Sequence, residues 1–159
     1  MLNFEPGECA QVDWGEFGDV FFDGTKIHAF VMVLCYSRKL YLEFTRRERF
    51  EDFIRCHENA FRYFSGVPTE CWYDNLASAV TERMGSLTRF NARFMAYMGH
   101  HGIKPYACNQ SRGNEKGRVE DGVKYIRSSF WPGRRFKDYL DLGVQGTEWQ
   151  ETFANRREH

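Results

Sequence analysis

Three carboxylates, Asp13, Asp74 and Glu120, occur where an acid is either a local structural device or a chemical one. Asp13 lies in Glu8 to Gly15, a short alternating segment that reads as a strand with the acid near its end. A carboxylate there is disfavoured by strand propensity and costly if buried, so it marks either a site at the sheet edge or a plain strand end. Asp74 follows Thr69 to Tyr73, a second short strand preceded by a helix. Ligands gather at the carboxyl ends of strands in α/β sheets, but an acid here could also cap the turn Leu76 to Val80. Glu120 falls in Asn109 to Arg127, which reads as a turn followed by a helix. Lys116 and Lys124, four residues to either side, share its helical face, and Arg127 extends the stripe. By itself such a stripe reads first as a solvated face with ion pairs.

Taken together, three acids from distant segments suit a hard divalent cation. Magnesium takes oxygen ligands from few carboxylates and keeps positions open for phosphate and water. Two such ions, about 3.5–4 Å apart, activate a nucleophile and stabilise the leaving oxygen in an in-line phosphoryl displacement.

The elements that must position these acids are legible in the apolar pattern. Lys26 to Tyr36 is nearly continuous in apolar residues, as expected of a central strand covered on both faces. Asp23-Gly24 before it suits a turn, and Ser37-Arg38 leads tightly into Lys39 to Thr45, where Leu40, Leu42 and Phe44 share a face. Three strands with short links make an antiparallel meander. Arg49 to Phe64 is strongly helical in period, with Phe50, Phe53, Ile54, His57, Ala60, Phe61 and Phe64 on one face. Gly66 sits at its expected C-cap and Pro68 prevents continuation. Thr81 to Thr88 reads as a loop, Arg89 to Gly99 as a second amphipathic helix, and Ile103 to Ala107 as a short last strand. The long helix follows, with Val119, Val123, Ile126 and Phe130 as its packing stripe, and Trp131-Pro132-Gly133 ends it. Beyond lies a polar tail with one helix, roughly Thr147 to Asn155.

Composition narrows the class. A chain of 159 residues with 17% aromatics supports one packed domain. The net charge of zero hides an acidic beginning, six acids and one base up to Ser37, and a basic segment, nine bases and three acids from Lys104 to Lys137. Carboxylates that hold cations beside a surface that meets phosphates would give this distribution. Five isolated cysteines without metal-ligand spacing point to a reducing, cytoplasmic setting. His100-His101 lacks a matching pair for zinc. No apolar run approaches the roughly 18 residues of a membrane span.

The strings GECAQVDWGEFG, VMVLCYSRKLYLEF, FSGVPTECWYDNLASAV and KGRVEDGVKYIRSSFW, in this order, closely resemble the catalytic core of IstA-type insertion-sequence transposases, of the DDE and retroviral-integrase superfamily. The resemblance runs from about Glu8 to Trp131. It implies a ribonuclease-H-like α/β fold: a mixed five-stranded sheet, three antiparallel strands and then parallel ones, flanked by helices. It implies a catalytic core over residues 5–133 and a partial C-terminal extension over 134–159. Residue by residue, the two aspartates of the family match Asp13 and Asp74, and its glutamate matches Glu120. Glu115 is the rival for the third position, but it lines up with Val119 and Val123, and the KGxVE pattern points to Glu120.

The implied activity is DNA transposition by metal-dependent phosphoryl transfer, with two Mg2+ or Mn2+ ions held by Asp13, Asp74 and Glu120. Lys116, Lys124 and Arg127 become candidate contacts to DNA phosphates. The implied partners are transposon-end and target DNA, further copies of the chain, and an AAA+ helper ATPase. The competing expectation is a truncated, catalytically silent remnant that only binds within the transposition complex.

Overall fold

In the computed structural model the described residues are 4–74, 80–85, 87–108 and 122–156. Seven strands and four α-helices are assigned among them: β1 (Cys9–Gly18), β2 (Ile27–Leu34), β3 (Leu40–Thr45), α1 (Phe50–Phe64), β4 (Glu70–Asp74), β5 (Thr81–Met84), β6 (Leu87–Phe90), α2 (Ala92–His101), β7 (Lys104–Ala107), α3 (Gly122–Ser129) and α4 (Tyr139–Thr152), with a 3-10 turn at Ala154–Arg156. Five strands form one sheet in the order β3-β2-β1-β4-β7. β1, β2 and β3 pair antiparallel, whereas β4 and β7 join β1 in parallel. This is the expected mixed sheet, flanked by helices on both faces.

Strand pleating sorts the apolar residues into two layers. Ala10, Val12, Trp14, Phe30, Met32, Cys71 and Tyr73 face α1 and α2 and pack with Phe53, Ala60, Phe94 and Met98. Phe17, Ala29, Val31, Leu40, Leu42 and Phe44 face the other way and pack with Val123, Ile126 and Phe130 around α3 and with Leu142 and Trp149 of α4. The expected boundary after residue 133 falls between α3 and α4, and both helices contribute to this second layer.

The first layer contains a buried polar device. His57 of α1 is fully buried; its Nδ1 lies 2.7 Å from the Phe53 carbonyl and its Nε2 2.8 Å from the Tyr73 hydroxyl. A carbonyl only accepts, so Nδ1 carries the proton and Nε2 accepts from Tyr73. Burial pushes the imidazole pKa from 6.5 down to about 4, so the ring is neutral near pH 7. Tyr73 immediately precedes Asp74, so this hydrogen bond fixes the end of β4.

The outer edge of β3 is closed by side chains in place of a sixth strand. The Leu40 N–H donates to Asn155 Oδ1 (2.7 Å) and the Leu40 carbonyl accepts from Asn155 Nδ2 (2.9 Å). The Leu42 N–H donates to Gln150 Oε1 (2.7 Å), and the Phe44 carbonyl accepts from the Tyr139 hydroxyl (2.6 Å). An open edge invites pairing with another chain, and these bonds remove the template. Gly146 lets α4 come this close, since a Cβ there would lie 2.8 Å from the Phe44 ring. Gln150→Leu with Asn155→Leu should cost roughly 2–4 kcal/mol in urea unfolding, because buried strand amides lose their partners. A cost below about 0.5 kcal/mol would show that the side-chain bonds do not close the edge.

Several local expectations are corrected. β1 runs to Gly18, so Asp13 is inside the strand rather than near its end: pairing with β2 continues past Asp13 through Gly15↔Ala29 and Glu16↔His28. The left-handed residue that ends α1 is Ser65, not Gly66. Thr81 to Phe90 is a two-stranded hairpin instead of a loop; Thr81↔Phe90 and Glu82↔Arg89 pair across it. The last helix begins at Tyr139, not near Thr147, because the Asp138 side chain caps it by accepting from the Asp141 N–H. The proposed capping of Leu76 to Val80 by Asp74 falls largely on residues 75–79, outside the described residues.

Candidate active site

Asp13 and Asp74 meet. β1 and β4 run parallel, and their register places Asp13 directly opposite Asp74 at the last paired position. Neighbouring strands lie about 4.8 Å apart, and paired residues of parallel strands point to the same face. Val12, Trp14 and Tyr73 face α1, so both acids face α3. Asp13 is 8% exposed and Asp74 is half-buried.

The back of this pair is rigid. Trp14, beside Asp13, stacks on Phe53 at 4.7 Å and donates from Nε1 to the Thr45 hydroxyl (3.2 Å). Tyr73, beside Asp74, is held by His57. Each acid thus has an immobile aromatic neighbour on the opposite face, and the carboxylates project from a fixed backbone.

The front is approached by α3. The Val123 N–H donates to Asp13 Oδ2 at 2.9 Å, joining residues 110 positions apart in the chain. Gly122, at φ +46°, is the first residue of α3, and its Cα lies against the Asp13 side chain. These two residues were not anticipated as part of the site. The only signal in the sequence is a glycine two positions after Glu120, near the start of a helix where a glycine weakens the periodic pattern.

The remaining expected residues divide. Lys124 is exposed on α3. Arg127 is exposed as well, but its guanidinium is engaged: Nη2 donates to the Glu16 carbonyl (2.6 Å) and Nε to the Phe17 carbonyl (3.1 Å). It ties α3 to the end of β1, a structural task that the charge pattern alone did not show. Val123 and Ile126 are buried and Phe130 follows them, so the expected packing stripe is present over this part. Glu120, its rival Glu115, Lys116 and Val119 lie outside the described residues.

Two carboxylates on one face are a hard-oxygen donor pair, suited to magnesium or manganese rather than to soft metals. Among the described residues no group of three His, Cys, Asp or Glu is placed to hold a metal ion.

The model of the integrase core domain family matches residues 4–112 of this chain, which takes in both aspartates. The chain belongs to the integrase core family. Among curated proteins, this integrase core is similar to a putative transposase for insertion sequence element IS5376 of Geobacillus stearothermophilus, 34% identical over 154 residues, covering 96% of this chain and 38% of that protein. Another is a transposase for an IS21-like insertion sequence element of Bacteroides fragilis, 32% identical, covering 96% of this chain and 30% of that protein. This integrase core thus spans about a third of the length of these relatives.

Solved structures share its fold at 17% identity. One is a simian T-cell lymphotropic virus intasome in complex with PP2A regulatory subunit B56 gamma, with a TM-score of 0.60, covering 99% of this chain and 54% of that one. Another is the HTLV-2 integrase catalytic core domain in complex with magnesium, with a TM-score of 0.55, covering 90% and 83%.

Proposed function

We propose that this integrase core catalyses phosphoryl transfer on DNA for transposition: hydrolysis at the ends of a mobile element, then joining of the freed 3′ hydroxyl to target DNA. The observation that carries the reading is the direct pairing of Asp13 and Asp74 on one face of the sheet. The transposase names of relatives that align over nearly the whole chain support it.

Asp13 and Asp74 would hold Mg2+ or Mn2+, with Glu120 as the third ligand and two ions as the expected number. A bound divalent ion supplies Lewis acidity to an attacking oxygen and charge stabilisation to a leaving one. Glu120 has a covalent tether that supports its role. It precedes Gly122 by two residues, which span at most about 7 Å, and Gly122 abuts Asp13. The same tether admits Asp121, so substitution of each acid separately distinguishes them.

In both steps an oxygen nucleophile, water and then the 3′ hydroxyl, attacks phosphorus in line. The bond to the opposite ester oxygen breaks, and that oxygen departs on its own strand. The residues of the chain position the phosphodiester. Lys124, exposed on the helix that meets Asp13, would contact a DNA phosphate, with Lys116 as a second contact. Arg127 would act mainly by holding α3 in place. Lys124→Ala should weaken DNA binding uniformly across sequences and lower the slope of log affinity against log salt by about 1. An unchanged slope in a salt titration would remove Lys124 from the interface.

The partners follow from the same reading: transposon-end and target DNA, other copies of the chain, and an AAA+ helper ATPase. The function is tested by fusing the chain to an end-binding domain and assaying strand transfer with manganese beside an Asp74→Asn control. Products that depend on Asp74 are expected. Equal product from both proteins, or none from either, would contradict the reading.

A further inference from the structure

We infer that Gly122 is a positioning residue for the reaction: by having no side chain it lets α3 clamp the Asp13 carboxylate through the Val123 N–H. The inference rests on the proposed role of Asp13 as a metal ligand.

Two observations carry it. The Val123 N–H of α3 donates to Asp13 Oδ2 at 2.9 Å, a buried bond between helix and sheet. Asp13 therefore accepts a backbone amide of α3, which ties its carboxylate to that helix. Secondly, a Cβ at Gly122 would lie 2.5 Å from the Asp13 Cβ and 2.8 Å from its Cγ, closer still to Oδ2. Both Asp13 Cβ and the strand behind it are fixed, because Asp13 sits mid-strand between β2 and β4. An added methyl must displace either the helix or the carboxylate. The φ of +46° adds a backbone preference for glycine at the same position.

The consequence is orientational. With Oδ2 held by the Val123 N–H, the helix constrains the plane and rotamer of the Asp13 carboxylate. Partners that orient a ligand in this way typically change metal affinity by about 10–100-fold when altered. The clamp also fixes Gly122 and Val123 relative to the sheet acids.

Gly133→Ala is the matched control. Gly133 also has a positive φ, +79°, but a Cβ there meets nothing within 4 Å, so it carries the backbone strain without the contact to Asp13. Mn2+ uptake, followed by the paramagnetic signal of the free ion, should be near wild type in Gly133→Ala and at least about tenfold weaker in Gly122→Ala. Val123 amide exchange should be slow in wild type and in Gly133→Ala, and fast in Gly122→Ala and in Asp13→Ala. Wild-type Mn2+ affinity in Gly122→Ala overturns the positioning role.

A wild-type protein that takes up no Mn2+ overturns the metal reading; the exchange experiment then decides the clamp, and protection of Val123 that survives Asp13→Ala removes it. Should Gly122→Ala fail to fold, the double variant with Asp13→Gly, which clears the colliding atoms, is expected to restore folding. Failure of that rescue contradicts the steric basis.

Discussion

Asp13→Asn is expected to reduce manganese-dependent strand transfer by roughly a thousand-fold or more while leaving the metal-free melting temperature unchanged or slightly higher. The two halves of this result have separate causes. Asparagine keeps an oxygen that accepts the Val123 N–H, so the link to α3 survives. It also removes one of two carboxylates at directly paired positions, and like charges opposite one another destabilise a sheet. What is lost is the anionic donor, which a hard cation needs. Activity in an assay with an end-binding fusion and thermal melting without metal together decide the matter. A melting temperature lowered by many degrees would make the lost activity a folding effect and would leave Asp13 without a demonstrated chemical role.

The second large effect concerns stability. His57→Ala should cost about 3–5 kcal/mol, because it opens a cavity among Phe30, Phe53, Tyr73 and Phe94 and leaves the Tyr73 hydroxyl and the Phe53 carbonyl without their bonds. The same residue makes the fold sensitive to acid. In the unfolded chain His57 takes up a proton near pH 6.5, whereas burial holds it neutral down to about 4 in the folded protein. The unfolded state therefore binds more protons between these limits, and stability falls as pH drops through that window, by about 3 kcal/mol in all. His57→Phe keeps an aromatic ring but cannot titrate, so its stability should lack this decline between pH 6.5 and 4. Urea unfolding at several pH values checks this, and parallel pH profiles for wild type and His57→Phe would contradict it. Because Tyr73 adjoins Asp74, loss of this bond should also loosen the second acid.

The ease with which each part could be read follows from the kind of residue that specifies it. Leu40, Leu42 and Phe44 alternate because β3 is packed on one face, and Phe53, His57 and Phe61 recur at helical spacing because α1 is half-buried. Those patterns are visible without a structure. The β5–β6 hairpin is not, since its strands are only four residues each and Glu82 and Arg89, which pair across it, are exposed, while Phe90 alone of its described side chains joins the core cluster. The start of α4 was hidden by Gly143 and Gly146, which lower helix propensity; Gly146 is needed for the approach to Phe44, a reason that exists only in three dimensions.

The site divides in the same way. Asp13 and Asp74 stand out as candidates from their places beside strands and from the family strings, but their direct pairing depends on the parallel register of β1 and β4. Gly122 and the Val123 amide were invisible, because a backbone N–H has no sequence signature and a glycine reads locally as a weak helix former. Arg127 read as a phosphate contact from its charge, whereas its bonds to the Glu16 and Phe17 carbonyls come from tertiary packing.

Crystals grown with Mn2+ and measured for anomalous scattering test the central claim most directly. The account predicts manganese bound between the carboxylates of Asp13 and Asp74, with Glu120 completing the ligand set and Glu115 outside it. Manganese bound elsewhere with the Asp13–Asp74 pair empty, or held there by Glu115 with Glu120 turned away, would contradict it.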